Sequence, residues 1–143
     1  MYPTNQIQMM PLSSISIKPG DKITDTVIYN SSTKTYTLEV SDLTNKQSDA
    51  VVTTCASGLT CSRKSAEWIV ERPFTGSNYA PLGDWGTMNF TDAEAAKSTT
   101  YAPISRLSYH PINMINTSGA SLANPSSLSS TGNNFTDNWI QTQ

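Results

Sequence analysis

Residues 26–53, TVIYNSSTKTYTLEVSDLTNKQSDAVVT, decide the fold class of this chain. Apolar and polar residues alternate over 26–29, 36–40 and 51–53, and this period of two is typical of half-buried β-strands. Residues 30–33 and 43–48 separate these runs and are rich in turn-forming types. Several short strands joined by turns predict an all-β protein, either an antiparallel sandwich or an open barrel.

The segments outside this stretch follow the same pattern with one exception. Ile15-Ser16-Ile17 predicts a further strand, and residues 134–140 predict a final strand whose Phe135 and Trp139 share one face. Residues 118–134 are rich in Ser and Asn, so we expect them to form a loop. Only residues 91–97, TDAEAAK, have a helical pattern, which predicts up to about two turns of helix from a Thr or Asp cap.

The composition excludes several classes of partner. The 143 residues include 20 Ser, 19 Thr and 11 Asn, while 14% are charged and the net charge is −2. This composition is typical of a secreted or surface all-β protein, and it provides no basic patch for nucleic acid or for an anionic membrane surface. No stretch approaches the roughly 20 apolar residues of a membrane span. We therefore expect neither nucleic acid nor a membrane as a partner.

The two cysteines are six residues apart in CASGLTC, with Gly58 between them. A local disulfide between Cys55 and Cys61 is the simplest interpretation, and it would indicate an oxidising compartment. The alternative is a pair of buried free thiols. A zinc site would need more ligands than the single His110 can add, so we expect no metal.

The segment 66–71, AEWIVE, contains the candidate catalytic residues. As a strand, it would direct Ala66, Trp68 and Val70 to one face and Glu67, Ile69 and Glu71 to the other. The chain has four Glu residues, and two of them lie on that second face. Spacing alone favours a solvated surface for this face, and the alternative is the floor of a cleft in which one Glu acts as a general base.

Six stretches together resemble the glutamic peptidases, also called the eqolisin family. SAEWIVERP (65–73) is followed by LGDWGTMNFTDAEA (82–95), as in the second half of those proteins. Tyr2-Pro3 is similar to the end of the family's WYE-x-YP stretch. The remaining matches are ISIKPGDKI (15–23), LEVSDLTNKQS (38–48) and NNFTDNWIQ (133–141). The resemblance covers nearly the whole chain in order.

The resemblance implies a single domain over residues 1–143, a concanavalin-like β-sandwich of two antiparallel sheets that is incomplete at its N-terminus. It also implies a secreted endopeptidase that cleaves proteins or peptides at acidic pH without any cofactor. In this family a Glu activates water and a Gln amide stabilises the oxyanion. The motif places the Glu at Glu71, with Glu67 as the second choice because it shares the same face.

The chain departs from the family pattern at its start. The family's catalytic Gln lies upstream of WYE-x-YP, whereas this chain begins within that stretch, and Gln6 and Gln8 lie downstream of it. We therefore expect weak activity or none from these 143 residues, with Met1 either an internal methionine or the start of a shortened relative. An upstream Gln-Thr-Gly stretch followed by Trp-Tyr-Glu in the coding sequence would distinguish these cases.

Two further interpretations remain open. One is a noncatalytic β-sandwich that binds peptide or glycan on its concave face. The other is an incomplete fold whose exposed sheet edges pair with another copy of the chain. Four Asn-x-Ser/Thr sequons also occur, at Asn30, Asn89, Asn116 and Asn134, and chance produces such triplets easily in this composition. We expect Asn30 to be exposed in a turn.

Overall fold

The structure is a computed structural model that describes residues 14–74 and 76–142. These residues form antiparallel β-strands and one short 3₁₀ helix at Ile104–Arg106, with no α-helix among them. The strands are β1 Ile23–Asn30, β2 Thr35–Asp42, β3 Gln47–Thr54, β4 Thr87–Phe90, β5 Glu94–Lys97, β6 Thr100–Pro103, β7 Met114–Ile115, β8 Ser121–Pro125 and β9 Phe135–Trp139. The chain divides into two compact units, one ending at Lys64 and one beginning at Ser65. The single domain over residues 1–143 stays a prediction.

The first unit contains a three-stranded meander in the order β1-β2-β3. Val27 pairs with Leu38, and Leu38 pairs with Val51, so these apolar side chains share one face of the sheet. The strands predicted at 26–29, 36–40 and 51–53 are confirmed. The register follows from the alternation, because a shift by one residue would move the apolar set to the other face.

The strand predicted at Ile15-Ser16-Ile17 is not formed. The backbone N–H of Ser14 donates to Asp49 Oδ2 at 3.4 Å, and that of Ser16 donates to Gln47 Oε1 at 3.3 Å. Side chains of β3 therefore accept these hydrogen bonds where a strand would use backbone carbonyls. The segment lies beside β3 without joining its ladder.

The disulfide predicted between Cys55 and Cys61 is confirmed, with their Cα atoms 5.9 Å apart. It closes the loop that follows β3. Gly58 has φ +79°, a left-handed conformation that glycine adopts without a steric penalty, and Leu59 N–H donates to Ala56 O at 3.0 Å across the same turn. A covalent bridge and a tight turn together fix this loop.

The second unit contains a four-stranded sheet in the order β4-β9-β8-β7. Its most buried side chains are Leu122 and Ala123 on β8, at 0% and 1% exposure, together with Leu82 and Ala93. The prediction of a loop over residues 118–134 was wrong, because β8 lies within it. The final strand is confirmed as β9, and Phe135 and Trp139 lie two positions either side of Asp137 on one face.

The helix predicted over residues 91–97 is absent, and β5 and β6 form a two-stranded hairpin there. Ala93 is 1% exposed, its N–H donates to Asn133 O at 2.8 Å, and its carbonyl accepts from Ile104 N–H at 3.1 Å. Asp92 has φ +54°, which does not continue a right-handed helix. Burial and long-range hydrogen bonds therefore override the weak local helix propensity.

The part of the chain that the structure describes contains no helix with the length and apolar character needed to cross a bilayer.

Candidate active site

The segment that contains Glu67 and Glu71 alternates in sequence like a strand. Within residues 14–74 and 76–142, however, it forms no β-ladder with another segment. The strand predicted for residues 66–71 was therefore wrong as a paired element. The alternation of exposure persists over most of it, since Trp68 and Val70 are half-buried while Glu67 and Glu71 are exposed. Ala66, predicted on the buried face, is exposed.

Both candidate carboxylates thus lie on the solvent side of the segment. The Trp68 and Val70 side chains are half-buried, and Glu71 follows Val70 directly. Because it is already exposed, a carboxylate on this side can contact a water molecule or a bound peptide. This placement is compatible with a general base, and it is equally the placement of a solvated surface residue.

Arg72 fixes the backbone immediately after Glu71. Its Nε donates to Ala80 O at 2.5 Å and its Nη2 donates to Tyr79 O at 3.3 Å. The guanidinium carbon also lies 5.3 Å from the centre of the Tyr79 ring, within the range of a cation–π contact. One planar side chain therefore holds two successive carbonyls, which is the geometry that arginine provides and lysine does not.

The return of the chain after Pro73 strengthens this arrangement. Phe74 and Tyr79 form an isolated antiparallel bridge, and their rings meet edge to face with centroids 5.1 Å apart. Ala80 N–H donates to Pro73 O at 2.8 Å. We call residues 72–74 and 76–80 the Arg72 clamp. The clamp restrains the backbone on the C-terminal side of Glu71.

The LGDWG segment (82–86) is attached to β9. Leu82 is 5% exposed, Trp85 Nε1 donates to Asp137 O at 3.3 Å, and Trp139 N–H donates to Gly86 O at 2.9 Å. These bonds connect the chain that leaves the clamp to the most buried sheet of the second unit. The motif is therefore a structural connection, and its acid, Asp84, accepts from Gly86 N–H at 2.8 Å within the turn.

Asp137 is a buried acid that the sequence analysis missed. It is 9% exposed, and burial raises the pKa of its carboxyl above the ordinary value of 3.8. Among the described residues, its Oδ1 atom has no hydrogen-bond partner. The alternation over residues 134–140 could have found it, because Asp137 lies on the same face as Phe135 and Trp139.

A groove of about 390 Å³ lies on the same sheet. It is lined by Ser, Thr, Asn and Phe side chains only, at Asn89, Phe90, Thr91, Ser126, Ser127, Ser129, Asn134, Phe135 and Thr136. The lining contains no carboxyl, amine or imidazole group, so the groove itself cannot transfer a proton at mild pH. Within residues 14–74 and 76–142, no three His, Cys, Asp or Glu side chains are grouped to hold a metal ion.

Antiparallel sheets and a disulfide define the class as an all-β protein, and the two Glu residues of its AEWIVE segment face solvent. The sequence profile of the peptidase A4 family matches residues 1–137, and the chain belongs to that family. The predicted resemblance to the glutamic peptidases is thereby confirmed.

The fold is similar to the crystal structure of aspergilloglutamic peptidase from Aspergillus niger, with a TM-score of 0.74 and 27% sequence identity. The match covers 90% of this chain and 72% of that one. It confirms the predicted antiparallel β-sandwich fold. No curated protein sequence matches the chain.

Proposed function

We propose that this chain is a glutamic endopeptidase domain that hydrolyses peptide bonds in proteins or peptides at acidic pH, with Glu71 as the general base. The observation that carries the proposal is the position of Glu71 in the family motif, exposed to solvent and directly followed by the Arg72 clamp. Glu67 is exposed on the same side and is the second choice for the base.

The proposed reaction needs one carboxylate and one amide. The Glu71 carboxylate takes a proton from water while the water oxygen attacks the peptide carbonyl carbon, and the carbonyl oxygen becomes an oxyanion. The amide N–H of a Gln donates to that oxyanion. Collapse of the tetrahedral intermediate breaks the C–N bond, and the protonated Glu71 returns its proton to the leaving amine. Our expectation places the Gln upstream of Tyr2, outside the described residues.

One other acid supports a protein that stays folded in acidic conditions. Asp137 in β9 is buried, and burial raises the pKa of its carboxyl. This group is then more easily protonated in the folded state than in the unfolded chain, so it does not oppose folding at low pH. Secretion is part of the proposal, because the Cys55–Cys61 disulfide fits an oxidising compartment.

The test compares the 143-residue chain with a chain extended upstream through the Gln-Thr-Gly stretch, using a denatured protein as substrate at acidic pH. We expect the extended chain to be active and to resist pepstatin-type, serine-directed and metal-directed inhibitors. The shorter chain should be at least about 100-fold slower, because one oxyanion donor contributes 10²- to 10³-fold.

The matched variants are Glu71→Gln and Glu67→Gln, both in the extended chain. Each removes one negative charge from the same exposed side of the segment at nearly constant volume. We expect Glu71→Gln to abolish cleavage and Glu67→Gln to retain it. The reverse result would transfer the role to Glu67, and full activity of both variants would refute the proposal that a Glu of this segment is the base.

The 390 Å³ groove favours a second candidate, a noncatalytic module that binds peptide or glycan. Two stacked Phe rings beside several hydroxyl and amide groups offer both an apolar surface and hydrogen-bonding groups. Binding of oligosaccharides or peptides, measured by calorimetry, would support this candidate if the extended parent chain and both Glu variants cleave no substrate.

A further inference from the structure

We propose that Asn30 is an attachment site for an N-linked oligosaccharide. The sequon Asn30-Ser31-Ser32 begins at the last residue of β1 and continues into the turn before β2. The proposal concerns modification during secretion and does not depend on peptidase activity.

The turn already holds the Asn30 side chain in a suitable orientation. Its Oδ1 accepts the backbone N–H of Ser32 at 2.9 Å and that of Thr33 at 3.3 Å, which is an Asx turn. The amide nitrogen Nδ2 donates no hydrogen bond to the residues that the structure describes, and the residue is exposed. The nucleophilic atom of the modification therefore faces solvent at a hairpin tip.

The other sequons are less suited to carry a glycan in the folded protein. Asn116 and Asn134 are half-buried. Asn116 Oδ1 accepts from the N–H groups of Ser118 and Ala120, at 3.0 and 2.9 Å, and Asn134 Oδ1 accepts from Asp92 N–H at 3.0 Å. A bulky group at either position would disturb a turn or a contact between chain segments.

Asn89 is exposed, but it lies within β4 opposite Thr136 of β9. The middle residue of its sequon, Phe90, stacks on Phe135, and Asn89 itself lines the groove. A glycosylating enzyme would have to separate these strands to bind the sequon after folding. Asn30 is thus the one sequon that is both exposed and located in a turn.

The reaction balances with one co-substrate, an oligosaccharide linked to a lipid through pyrophosphate. Nδ2 of Asn30 forms a bond to C1 of the first sugar, and the C1–O bond to the pyrophosphate breaks. The lipid pyrophosphate leaves with the electron pair, and Nδ2 releases one proton to solvent. The product is a bulky, hydrophilic group on a surface turn.

A glycan at this position would also protect a sheet edge. Among the described residues, β1 is an outer strand of its sheet, and Val27 and Ile28 within it are 69% and 51% exposed. The free edge of an outer strand with exposed apolar side chains can pair with another chain. A large polar group at the end of β1 would obstruct that pairing sterically.

The experiment secretes the protein from a yeast host and measures site occupancy by peptide mass spectrometry after amidase release of the glycan. We expect a glycan at Asn30 in the parent chain. Ser32→Ala removes the hydroxyl that the sequon requires while Asn30 is retained, and it should abolish occupancy. Ser31→Ala changes the neighbouring residue of the same turn but preserves the sequon, so occupancy should stay at the parent level.

An unoccupied Asn30 in the secreted parent chain overturns the proposal, as does occupancy that persists in Ser32→Ala. Circular dichroism of both variants reports whether the hairpin is intact. Size-exclusion chromatography tests the protective role, for which we expect more self-association in Ser32→Ala than in Ser31→Ala. Equal self-association of the two variants would refute that role alone.

Discussion

Phe90 of β4 and Phe135 of β9 stack face to face, with ring centroids 4.6 Å apart and ring planes 3° from parallel. The two residues are also directly paired across the antiparallel ladder. Each stands second in an Asn-Phe-Thr-Asp tetrapeptide, at 89–92 and 134–137. Two copies of one short sequence therefore pair in opposite directions, and this pairing fixes the outer strand of the sheet.

We expect the two rings to stabilise the fold jointly. Phe90→Ala and Phe135→Ala should each lower the free energy of unfolding by about 2 kcal/mol, below the range for fully buried Phe because both side chains are half-buried. The double variant should lose less than the sum of the two, with a coupling of about 1 kcal/mol from the ring pair. Urea unfolding of the four proteins measures this cycle, and strict additivity would show that the stack contributes nothing specific.

Gly132 is the glycine with the least space. It has φ +79°, and a Cβ added there would lie 2.5 Å from Ser105 Cβ, while Ser105 N–H donates to Gly132 O at 3.0 Å. Gly132→Ala should therefore lower the free energy of unfolding by about 3 kcal/mol, from left-handed strain and overpacking together.

Gly119→Ala is the matched control for that substitution. Gly119 has φ +85°, but a Cβ added there meets no atom within 4 Å. Only the conformational strain remains, so the expected loss is about 1 kcal/mol. Equal losses in the two variants, measured by thermal unfolding, would show that the contact with Ser105 relaxes without cost.

The buried acid Asp137 should make stability depend on pH. Since burial raises its pKa in the folded state, the folded protein binds more protons than the unfolded chain between 3.8 and the folded pKa. This contribution to stability is full below pH 3.8 and is lost as the pH rises through the folded pKa. An Asn side chain does not titrate, so Asp137→Asn should not lose stability in this way. The melting temperature of Asp137→Asn should therefore rise relative to that of the parent as the pH increases from 3 to 7.

Asp42 provides a control with the opposite sign. Burial acts to raise its pKa, but hydrogen bonds from the Asn45 side chain at 2.6 Å and from the Thr44 N–H at 2.8 Å lower it overall. Its stabilisation is present above pH 3.8 and is lost as the pH falls through the folded pKa. Asp42→Asn should therefore lose stability relative to the parent at pH 7 and less at pH 3. If the melting temperatures of the parent, Asp137→Asn and Asp42→Asn changed in parallel with pH, the pKa directions assigned to these two acids would be wrong.

The disulfide should stabilise its loop modestly. Because Cys55 and Cys61 are only six residues apart, the bridge restricts the unfolded chain little, and its removal should cost about 2 kcal/mol. The Cys55→Ala/Cys61→Ala variant and the reduced parent should unfold at similar urea concentrations. An intact mass of the nonreduced parent that shows two free thiols would contradict the bridge itself.

The sequence predicts the fold best where alternation and turn residues coincide. In the meander β1–β3, both signals agree, and the register follows. In β8, Leu122 and Ala123 are adjacent and both buried, so no alternation marks the strand within its Ser- and Asn-rich surroundings. In residues 66–71, alternation predicts the exposure of Glu67 and Glu71 but not pairing, because a strand also needs a partner.

The surroundings of the candidate site depend on contacts that local patterns do not encode. The sequence motif makes Glu71 the candidate base, but the bonds from Arg72 to Tyr79 and Ala80 require the chain to return after Pro73. The hairpin β5–β6 replaces a helix for the same reason, since Asn133 and Ile104 satisfy the Ala93 backbone from distant positions. The sequence analysis missed Asp137, although its position between Phe135 and Trp139 on one face of the last strand indicates a buried side chain.

Arg72 should act as a positioning residue for Glu71. Its guanidinium holds the carbonyls of Tyr79 and Ala80 at once, whereas the single ammonium of a lysine can satisfy them only with weaker geometry. In the extended chain that we propose to be active, we expect Arg72→Lys to lower kcat about tenfold, equivalent to about 1.4 kcal/mol, with KM little changed because the substrate-binding surface remains.

Arg63→Lys is the matched control for this substitution, because Arg63 also lies over a tyrosine ring, 4.2 Å from the centre of Tyr29, but in the first unit. It should keep kcat near the parent value. Equal losses in the two variants would indicate a general effect on stability, and thermal unfolding would reveal it. Unchanged kcat in Arg72→Lys would show that Glu71 does not depend on the clamp. The geometry predicts that only Arg72→Lys loses kcat and that this variant melts at the same temperature as its parent.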